Sequence, residues 1–313
     1  MGGEFDYIAW LRQRTLSDPR VIIGPGDDAA VLHPPPRALL ATTDMLMDGV
    51  DFHLAEIGGV QAGRKALAAN LSDIAAMAGI PYAVLVSLAL PRDCPIAGLR
   101  PRQLAEQIDE GIRRLAAEFD LPIVGGDTNS WHAPLAISIT VLGQASEHGY
   151  VSRSGAQPGD WIFVTGPLGG SILGKHLRFT PRIREALALQ ARVQLHAMCD
   201  ISDGLAADLF HILEESRCSA VLRGPDIPIA AAARTLSQRS GRSPLEHALH
   251  DGEDFELVFT VTEADAQRLL DDPPCPELRP IGVCLAGSPP MLWLEDEHAQ
   301  RRPLSPQGWT HPL

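Results

Sequence analysis

Short apolar stretches alternate with longer amphipathic ones in the first half of the chain. Residues 38–43, 83–90 and 135–143 are rich in Leu, Val, Ile, Ala and Thr, and their length and composition predict β-strands. Residues 59–77 and 102–119 carry apolar side chains at the spacing of one helix face. This alternation of strand and helix predicts an α/β unit.

The turn-rich sequence SRSGAQPGD at residues 152–160 interrupts the pattern, and a similar one follows it. We therefore expect two domains, residues 1–152 and 153–313, each with strands and helices. A length of 313 residues agrees, because single cores seldom grow beyond about 250–300 residues. In the second half we predict a helix at residues 204–215 and strands at residues 161–166, 220–222, 255–261, 281–285 and 291–294.

Composition and charge exclude several classes of protein. The chain is 45% hydrophobic and 21% charged, which is typical of a globular protein, and its longest apolar runs are too short to cross a membrane. A net charge of −13 argues against nucleic acid as a partner. The N-terminal sequence MGGEFDYIAW has no secretory signal pattern, and five scattered cysteines form no C-x-x-C pair. These features predict a cytoplasmic protein with reduced thiols.

Two glycine-rich segments resemble nucleotide-binding motifs only in outline. Residues 24–29, GPGDDA, fit a dinucleotide fingerprint, but AVLHPPP follows where that motif requires a helix. Residues 169–176, GGSILGKH, approach a P-loop, but His176 stands where a hydroxyl must hold Mg²⁺. Three prolines exclude the helix that the first motif needs, and we read the glycines of the second segment as the start of a helix.

Aspartates next to Gly, Ser or Thr recur at predicted strand ends and helix starts. Any one of them alone is typical of a turn or a helix cap. Together they indicate hard-cation chemistry, because Mg²⁺ prefers carboxylate oxygens and lets substrate phosphates complete its shell. Such ions would allow an acidic protein to bind a nucleoside triphosphate. The aspartates in question are Asp27, Asp28, Asp44, Asp73, Asp127, Asp200 and Asp203.

The motifs, in their order along nearly the whole chain, resemble those of the thiamine-monophosphate kinases. The resemblance implies a two-domain α/β (α+β) fold like that of aminoimidazole-ribonucleotide synthetase. In such a fold, a mixed sheet in the N-terminal domain forms a homodimer, and acidic loops of that domain bind ATP. The motifs are GEF, GDDAAVL, TTDMLMDGV, KALAANLSDIAAMAG, VGGDT, SRSGAQPGDWIFVTGPLG, DISDGL, GEDFELVF and GW.

The resemblance also implies roles for individual residues. ATP would be contacted by Gly126, Asp127, Arg153 and Ser202, and the thiamine end of the substrate by Glu253 and Trp309. The implied ligands of several Mg²⁺ ions are Asp28, Thr42, Thr43, Asp44, Asp73, Asp127, Asp200 and Asp203.

Two departures from the family pattern lie at the substrate end. The family histidine in GVHF is replaced by Asp51, and His53 follows two residues later. If this stretch is a strand, the two side chains share a face, so that either one is a candidate substrate contact. The family's GGED reads DGED here, with Asp251 in place of glycine.

The expected activity is in-line transfer of the γ-phosphoryl group of ATP to thiamine monophosphate. The attacking phosphate oxygen is already anionic, so we assign no catalytic base. One alternative is a related ATP-dependent synthetase of the aminoimidazole-ribonucleotide synthetase type. Another is a nucleotide- or thiamine-phosphate-binding protein without turnover, for which the changes at Asp51 and Asp251 would be the marks.

Overall fold

The computed structural model of the chain describes residues 4–15, 17–96 and 98–309. Gly3, the first residue of the GEF motif, lies outside these ranges. The chain forms two compact units. The first contains the residues up to Ile74 together with Ile80–Ala145, and the second contains Ala75–Gly79 together with the residues from Ser146 onward. The division into domains 1–152 and 153–313 stays a prediction.

A four-stranded mixed sheet forms the centre of the first unit. Its strand order is β3-β6-β4-β5, with β3 antiparallel to β6 and β4 parallel to β5, while β1 and β2 form a separate antiparallel pair. The described elements are α1 (Glu4–Arg14), β1 (Val21–Ile23), β2 (Val31–Leu32), β3 (Leu39–Met47), α2 (Leu54–Ala76), β4 (Gly79–Pro91), α3 (Pro101–Glu118), β5 (Ile123–Trp131) and β6 (Ala136–Ala145).

The hydrophobic pattern located most of these elements. The predicted strands became β3, β4 and β6, and the predicted helix at residues 102–119 is α3. Helix α2 is interrupted at Gly58, whose φ of 74° and ψ of 168° are not helical, so the predicted helix at residues 59–77 matches its continuous part. Strand β5 was not predicted. Residues 123–131 contain two glycines, and the strand forms by pairing in parallel with β4.

Helices α2 and α3 approach each other closely enough for glycine to be required. A Cβ atom on Gly63 would lie 2.2 Å from the carbonyl oxygen of Ile108, and one on Gly111 would lie 1.9 Å from the carbonyl oxygen of Val60. Real side chains do not tolerate such distances, so the two backbones are in direct contact here. This contact fixes the position of α2 in the first unit.

The second unit is built on a seven-stranded mixed sheet. Its order is β13-β12-β9-β11-β7-β10-β8, and of its pairs only β12 with β9 is parallel. The described elements are β7 (Trp161–Val164), α4 (Lys175–Arg178), α5 (Ile183–Arg192), β8 (Ala197–Asp200), α6 (Leu205–Ser216), β9 (Ser219–Arg223), α7 (Ala231–Ser240), α8 (Pro244–His250), β10 (Leu257–Val261), α9 (Glu263–Asp271), β11 (Arg279–Leu285), β12 (Leu292–Glu295) and β13 (Arg301–Pro303).

In both glycine-rich segments the structure agrees with the sequence, because no helix follows the first and a short helix begins in the second. Residues 24–29 form a turn that leads into β2 rather than into a helix. After β7, Gly169 and Gly170 lead into a 3₁₀ turn at Ser171–Leu173 and then into the four-residue helix α4. Among the described residues, no helix is both long and apolar enough to span a lipid bilayer.

The glycine contact between α2 and α3 gives a stability prediction. We expect Gly111→Ala to lower the free energy of unfolding by about 1–3 kcal/mol, because the new methyl group forces the helices apart. Urea denaturation of the variant and the wild type measures this difference. The matched control is Gly24→Ala, whose Cβ would lie 3.6 Å from Val21 Cγ1, and which should change stability by less than about 0.5 kcal/mol. Equal stability of Gly111→Ala and the wild type would contradict the close contact.

Candidate functional site

In the first unit, one face of β3 points towards α2. Alternate residues of a strand share a face, so Thr42 and Asp44 both lie on this partly buried side. The Thr42 hydroxyl donates to Asp73 Oδ2 on α2 at 2.5 Å. The Asp44 backbone N–H donates to Oδ1 of the fully buried Asn70 at 3.2 Å. The structure therefore brings three predicted ligand residues, Thr42, Asp44 and Asp73, to one place.

Asp44 carries the electrostatic signature of this cluster. Burial, followed by the negative charges of Asp73 and Asp51, raises the pKa of Asp44 to about 6. Like charges in a poorly solvated place favour the protonated form, and a bound cation would favour the ionised one. Binding of a cation beside Asp44, Asp51 and Asp73 would therefore offset the repulsion between these carboxylates.

Asp51 and His53 lie in a turn and not on a strand. The condition under which their side chains were expected to share a face is therefore not met. The turn runs from β3 to α2 and includes a bridge between Asp48 and Phe52. Asp51 Oδ2 accepts from its own turn, from the backbone N–H of Met47 at 2.7 Å. His53 is exposed. The charge of Asp51 acts on Asp44, which places Asp51 beside the cluster.

The structure does not join the other predicted residues of the first unit to this cluster. The Thr43 side chain is on the opposite face of β3 and donates to the Ile139 carbonyl at 3.1 Å. Asp28 is exposed in the turn between β1 and β2, and Asp127 is exposed on β5. The hydrogen bonds and charge interactions found among residues 4–15, 17–96 and 98–309 do not join Asp28 or Asp127 to Asp44. Gly126 packs so closely that a Cβ atom would lie 1.8 Å from the Val86 carbonyl oxygen.

A second acidic cluster lies in the second unit, where β8 ends and α6 begins. Asp200 is the last residue of β8 and is buried. Asp208, on the first turn of α6, accepts from the backbone N–H groups of Asp203 and Gly204, both at 3.0 Å. Burial and then the charges of Asp200 and Asp203 raise the pKa of Asp208 to about 8. The predicted residues Asp200 and Asp203 therefore share one negatively charged place.

The predicted nucleotide and substrate contacts of this unit adjoin the same loop. The backbone N–H of Glu253 donates to the Ser202 carbonyl at 2.7 Å, and that of Trp309 donates to the Asp203 carbonyl at 2.9 Å. The Trp309 side chain is 54% exposed. The pKa of Arg153 is raised by the Cys199 side chain and by Asp200, so its guanidinium lies close to the acidic cluster.

Asp251, which stands where the family has glycine, is used inside the protein. Its Oδ2 accepts from the Gly170 backbone N–H at 3.0 Å and from His247 Nδ1 at 2.8 Å. Arg242 donates to its Oδ1 at 3.1 Å. The extra carboxylate is therefore matched by donors of the chain itself.

Magnesium fits these donors only together with phosphate and water. Within the described ranges, no group of three or more His, Cys, Asp or Glu side chains is placed to hold a metal ion. Mg²⁺ usually takes one or two carboxylates and completes its octahedron with substrate phosphates and water. Each unit supplies one such pair of carboxylates, Asp44 with Asp73 in the first and Asp200 with Asp203 in the second. The donor chemistry therefore fits Mg²⁺.

Sequence reasoning missed three polar residues beside these clusters. Asn70 and Asp73 are three apart on α2, and this spacing was a usable signal that both face β3. Asp208 follows DISDGL and lies in the first turn of α6. Acidic side chains are favourable in the first turn of a helix, so this position was also a usable signal. Lys65 is only 1% exposed and donates to the Asp51 carbonyl at 2.5 Å, a long-range contact that no local pattern indicates.

Known proteins resemble this chain along its whole length. The family described as AIR synthase related protein, N-terminal domain, matches residues 26–145, and AIR synthase related protein, C-terminal domain, matches residues 157–289. A thiamine-monophosphate kinase of Rhodopirellula baltica is 40% identical over 316 residues, which cover 98% of this chain and 97% of that relative. The chain belongs to the thiamine-monophosphate kinase family.

Solved structures of the family have the same fold. The thiamine-monophosphate kinase of Stenotrophomonas maltophilia has a TM-score of 0.77 and 34% identity over 93% of this chain and 96% of that chain. A structure described as AaThiL complexed with AMPPCP and TMP has a TM-score of 0.75 and 28% identity over 99% of this chain and 97% of that chain. The predicted fold of the aminoimidazole-ribonucleotide synthetase type, with mixed sheets, is confirmed.

The raised pKa of Asp44 predicts a pH-dependent stability in metal-free buffer. Its pKa is about 6 in the folded protein and near 3.8 when the group is solvated, so ionised Asp44 costs stability as the pH rises from about 4 to 6. Above pH 6 this cost reaches about 3 kcal/mol. We expect Asp44→Asn to be more stable than the wild type by about 1–3 kcal/mol at pH 7.5, and less so towards pH 4.

Urea denaturation with EDTA at both pH values measures this difference. Glu277→Gln, at an exposed carboxylate, serves as the control and should leave stability unchanged at both. A loss of stability in Asp44→Asn at pH 7.5 would show that Asp44 is held by favourable contacts instead.

Proposed function

We propose that this protein phosphorylates thiamine monophosphate with ATP and releases thiamine diphosphate and ADP. The observation that carries the proposal is the whole-length match, at 40% identity, to a thiamine-monophosphate kinase. The solved complex of a family member with AMPPCP, an ATP analogue, and TMP supports both substrates. In each unit, the acidic cluster described above supplies carboxylates of the kind that such a reaction uses to hold metal ions.

The transfer is direct and in line, without a phosphoenzyme. An anionic oxygen of thiamine monophosphate forms a bond to the γ-phosphorus, the bond from that phosphorus to the β,γ-bridging oxygen breaks, and ADP leaves with the electron pair. The nucleophile carries no proton that must be removed, so no general base is needed. The work of the protein is to align two anions and to offset their repulsion.

Each acidic cluster has a role in this proposal. Several Mg²⁺ ions, when bound, would neutralise charge on the transferring phosphoryl group. The metal ligands are the eight predicted residues, of which Thr42, Asp44 and Asp73 are brought together in the first unit and Asp200 and Asp203 in the second. Thr43 would act through its backbone carbonyl, because its side chain lies on the other face of β3.

The organic parts of the substrates have separate candidates. Arg153 supplies a fork of N–H donors for phosphate oxygens, and Gly126, Asp127 and Ser202 complete the proposed nucleotide contacts. The exposed Trp309 ring suits the cationic thiazolium by stacking. Glu253 supplies a carboxylate for the same end of the substrate.

Asp51 and His53 remain alternatives at the substrate end. His53 is exposed, whereas one Asp51 oxygen accepts from the Met47 backbone.

We also propose a homodimer formed by the sheet of the first unit. On the face of β3 opposite Asp44, Leu39, Met45 and Met47 are exposed, with Met45 at 60%. An apolar stripe along a strand is typical of an interaction surface, and a second copy supplies an apolar partner of the same kind.

The proposed location is the cytoplasm, where ATP is available. All five cysteines lie in the described ranges and are free thiols, as expected for a reducing compartment.

The activity is tested by incubating the protein with ATP, Mg²⁺ and thiamine monophosphate and separating thiamine diphosphate by chromatography. We expect Asp44→Asn to lower turnover about a hundredfold or more, because it removes a charged metal ligand. The control Glu277→Gln should retain wild-type turnover. Binding of thiamine monophosphate in calorimetry without ADP release from the wild type would favour a non-catalytic binding protein and refute the kinase proposal.

The dimer is tested by light scattering after size exclusion. We expect Met45→Glu to give a monomer, because a carboxylate in an apolar interface is left desolvated. Met291→Glu, at a methionine 42% exposed in the second unit, should leave the dimer intact. A monomeric wild type at micromolar concentration would contradict the proposal.

A further inference from the structure

The P-loop-like segment at residues 169–176, here called the 169–176 loop, binds carboxylates of its own chain. The backbone N–H of Gly169 lies 2.9 and 2.8 Å from the two carboxylate oxygens of Asp254. The backbone N–H of Gly170 donates to Asp251 Oδ2 at 3.0 Å. Successive backbone N–H groups in a turn can form a concave anion site, and here the side-chain carboxylates of Asp254 and Asp251 accept from them.

Further contacts join the same loop to residues 251–256, here called the 251–256 segment. The Ser171 hydroxyl donates to the Gly252 carbonyl at 2.8 Å. Lys175, the residue at the P-loop lysine position, donates to Glu256 Oε1 at 2.7 Å. Arg182 donates to both oxygens of Glu256, at 2.9 and 2.7 Å. Glu256 is 1% exposed, so these cations and the Thr165 hydroxyl satisfy a fully buried charge.

The pKa values of Glu256 and Asp254 agree with these contacts. Burial alone would raise the pKa of Glu256, but the hydrogen bond from Arg182 and the charge of Lys175 hold it below its usual value. Burial raises the pKa of Asp254 to about 7, and Lys175 is the first of the groups that oppose this rise. Lys175 therefore acts on two carboxylates of the 251–256 segment at once.

The 251–256 segment needs such support because its backbone is strained. Gly252, Glu253 and Phe255 have φ values of 73°, 52° and 50°. Glu253 and Phe255 are not glycines, and left-handed backbone is unfavourable for residues that carry a Cβ atom. Strained backbone persists only where surrounding contacts over-determine it. The Phe255 ring, stacked at 3.9 Å on Phe179, adds to the contacts from the 169–176 loop.

Lysine is rare in this chain. Of its 26 basic side chains, only Lys65 and Lys175 are lysines. Lys175 Nζ also donates to the Pro167 carbonyl at 3.2 Å, so its compact ammonium joins the strand-to-loop connection to the 251–256 segment.

We propose that the 169–176 loop is an internal anion cradle, and that Lys175 is a positioning residue that holds Glu253 ready for the thiamine end of the substrate. The inference rests on the proposed function, because the contact between Glu253 and thiamine monophosphate belongs to it. Lys175 touches neither substrate. It acts through Glu256 and Asp254, which flank the strained residues.

The test compares Lys175→Met with the matched control Arg178→Met, which removes an equal charge from the exposed side of the same short helix. We expect Lys175→Met to raise the KM for thiamine monophosphate about tenfold, with the KM for ATP changed less than about twofold. Lys175→Arg, which keeps the charge, should restore the first KM to within about twofold of wild type. Arg178→Met should change neither constant.

Hydrogen–deuterium exchange of peptides spanning residues 251–256 gives a second readout that needs no activity. We expect faster exchange in Lys175→Met and wild-type exchange in Arg178→Met. If wild type proves to have no kinase activity, the proposed function fails, and this exchange difference still decides whether the cradle exists.

Two results would overturn the inference. The first is unchanged exchange together with an unchanged KM for thiamine monophosphate in Lys175→Met. The second is a rise in the KM for ATP as large as that for thiamine monophosphate, since a phosphate-binding P-loop lysine predicts this. If Lys175→Met does not fold, Asp254→Asn replaces it, and unchanged exchange and KM in that variant refute the cradle.

Discussion

Repulsion between carboxylates that the backbone holds close together is the constraint on which the other features depend. In the first unit, β3 and α2 fix Asp44 and Asp73 side by side, and the turn after β3 adds Asp51. In the second unit, the end of β8 and the first turn of α6 gather Asp200 and Asp208. An exposed carboxylate can turn towards water, but Asp44 and Asp208 are largely buried, and their raised pKa values show that the ionised form needs a cation to be stable.

The second unit contains two groups of carboxylates whose negative charge is offset in different ways. At the end of β8, backbone N–H groups and the nearby Arg153 only partly offset the negative charge, and the pKa of Asp208 stays raised. Asp251, Asp254 and Glu256 form another group of carboxylates in this unit, but lysine, arginine, histidine and loop amides of the same chain contact them. The first group is suited to a ligand and the second to holding a backbone in place.

Local periodicity was enough to predict β3, β4, β6 and α3, because their spacing of apolar residues is set by burial on one face. It could not predict β5, whose glycines and Asp127 are typical of a turn and become a strand only by pairing with β4. The acidic motifs indicated which residue types do the chemistry. They could not show that Thr43 faces away from Asp44, nor that Asp51 lies in a turn, because strand ends depend on long-range contacts.

The contact between α2 and α3 has a mechanical consequence for the first unit. At Gly63 and Gly111 the two backbones touch without intervening side chains, so neither helix has a compressible layer against which to slide. Asp73 lies on α2, less than three turns beyond Gly63. A displacement of α3 would therefore move α2, and with it the Asp73 carboxylate, by a similar amount.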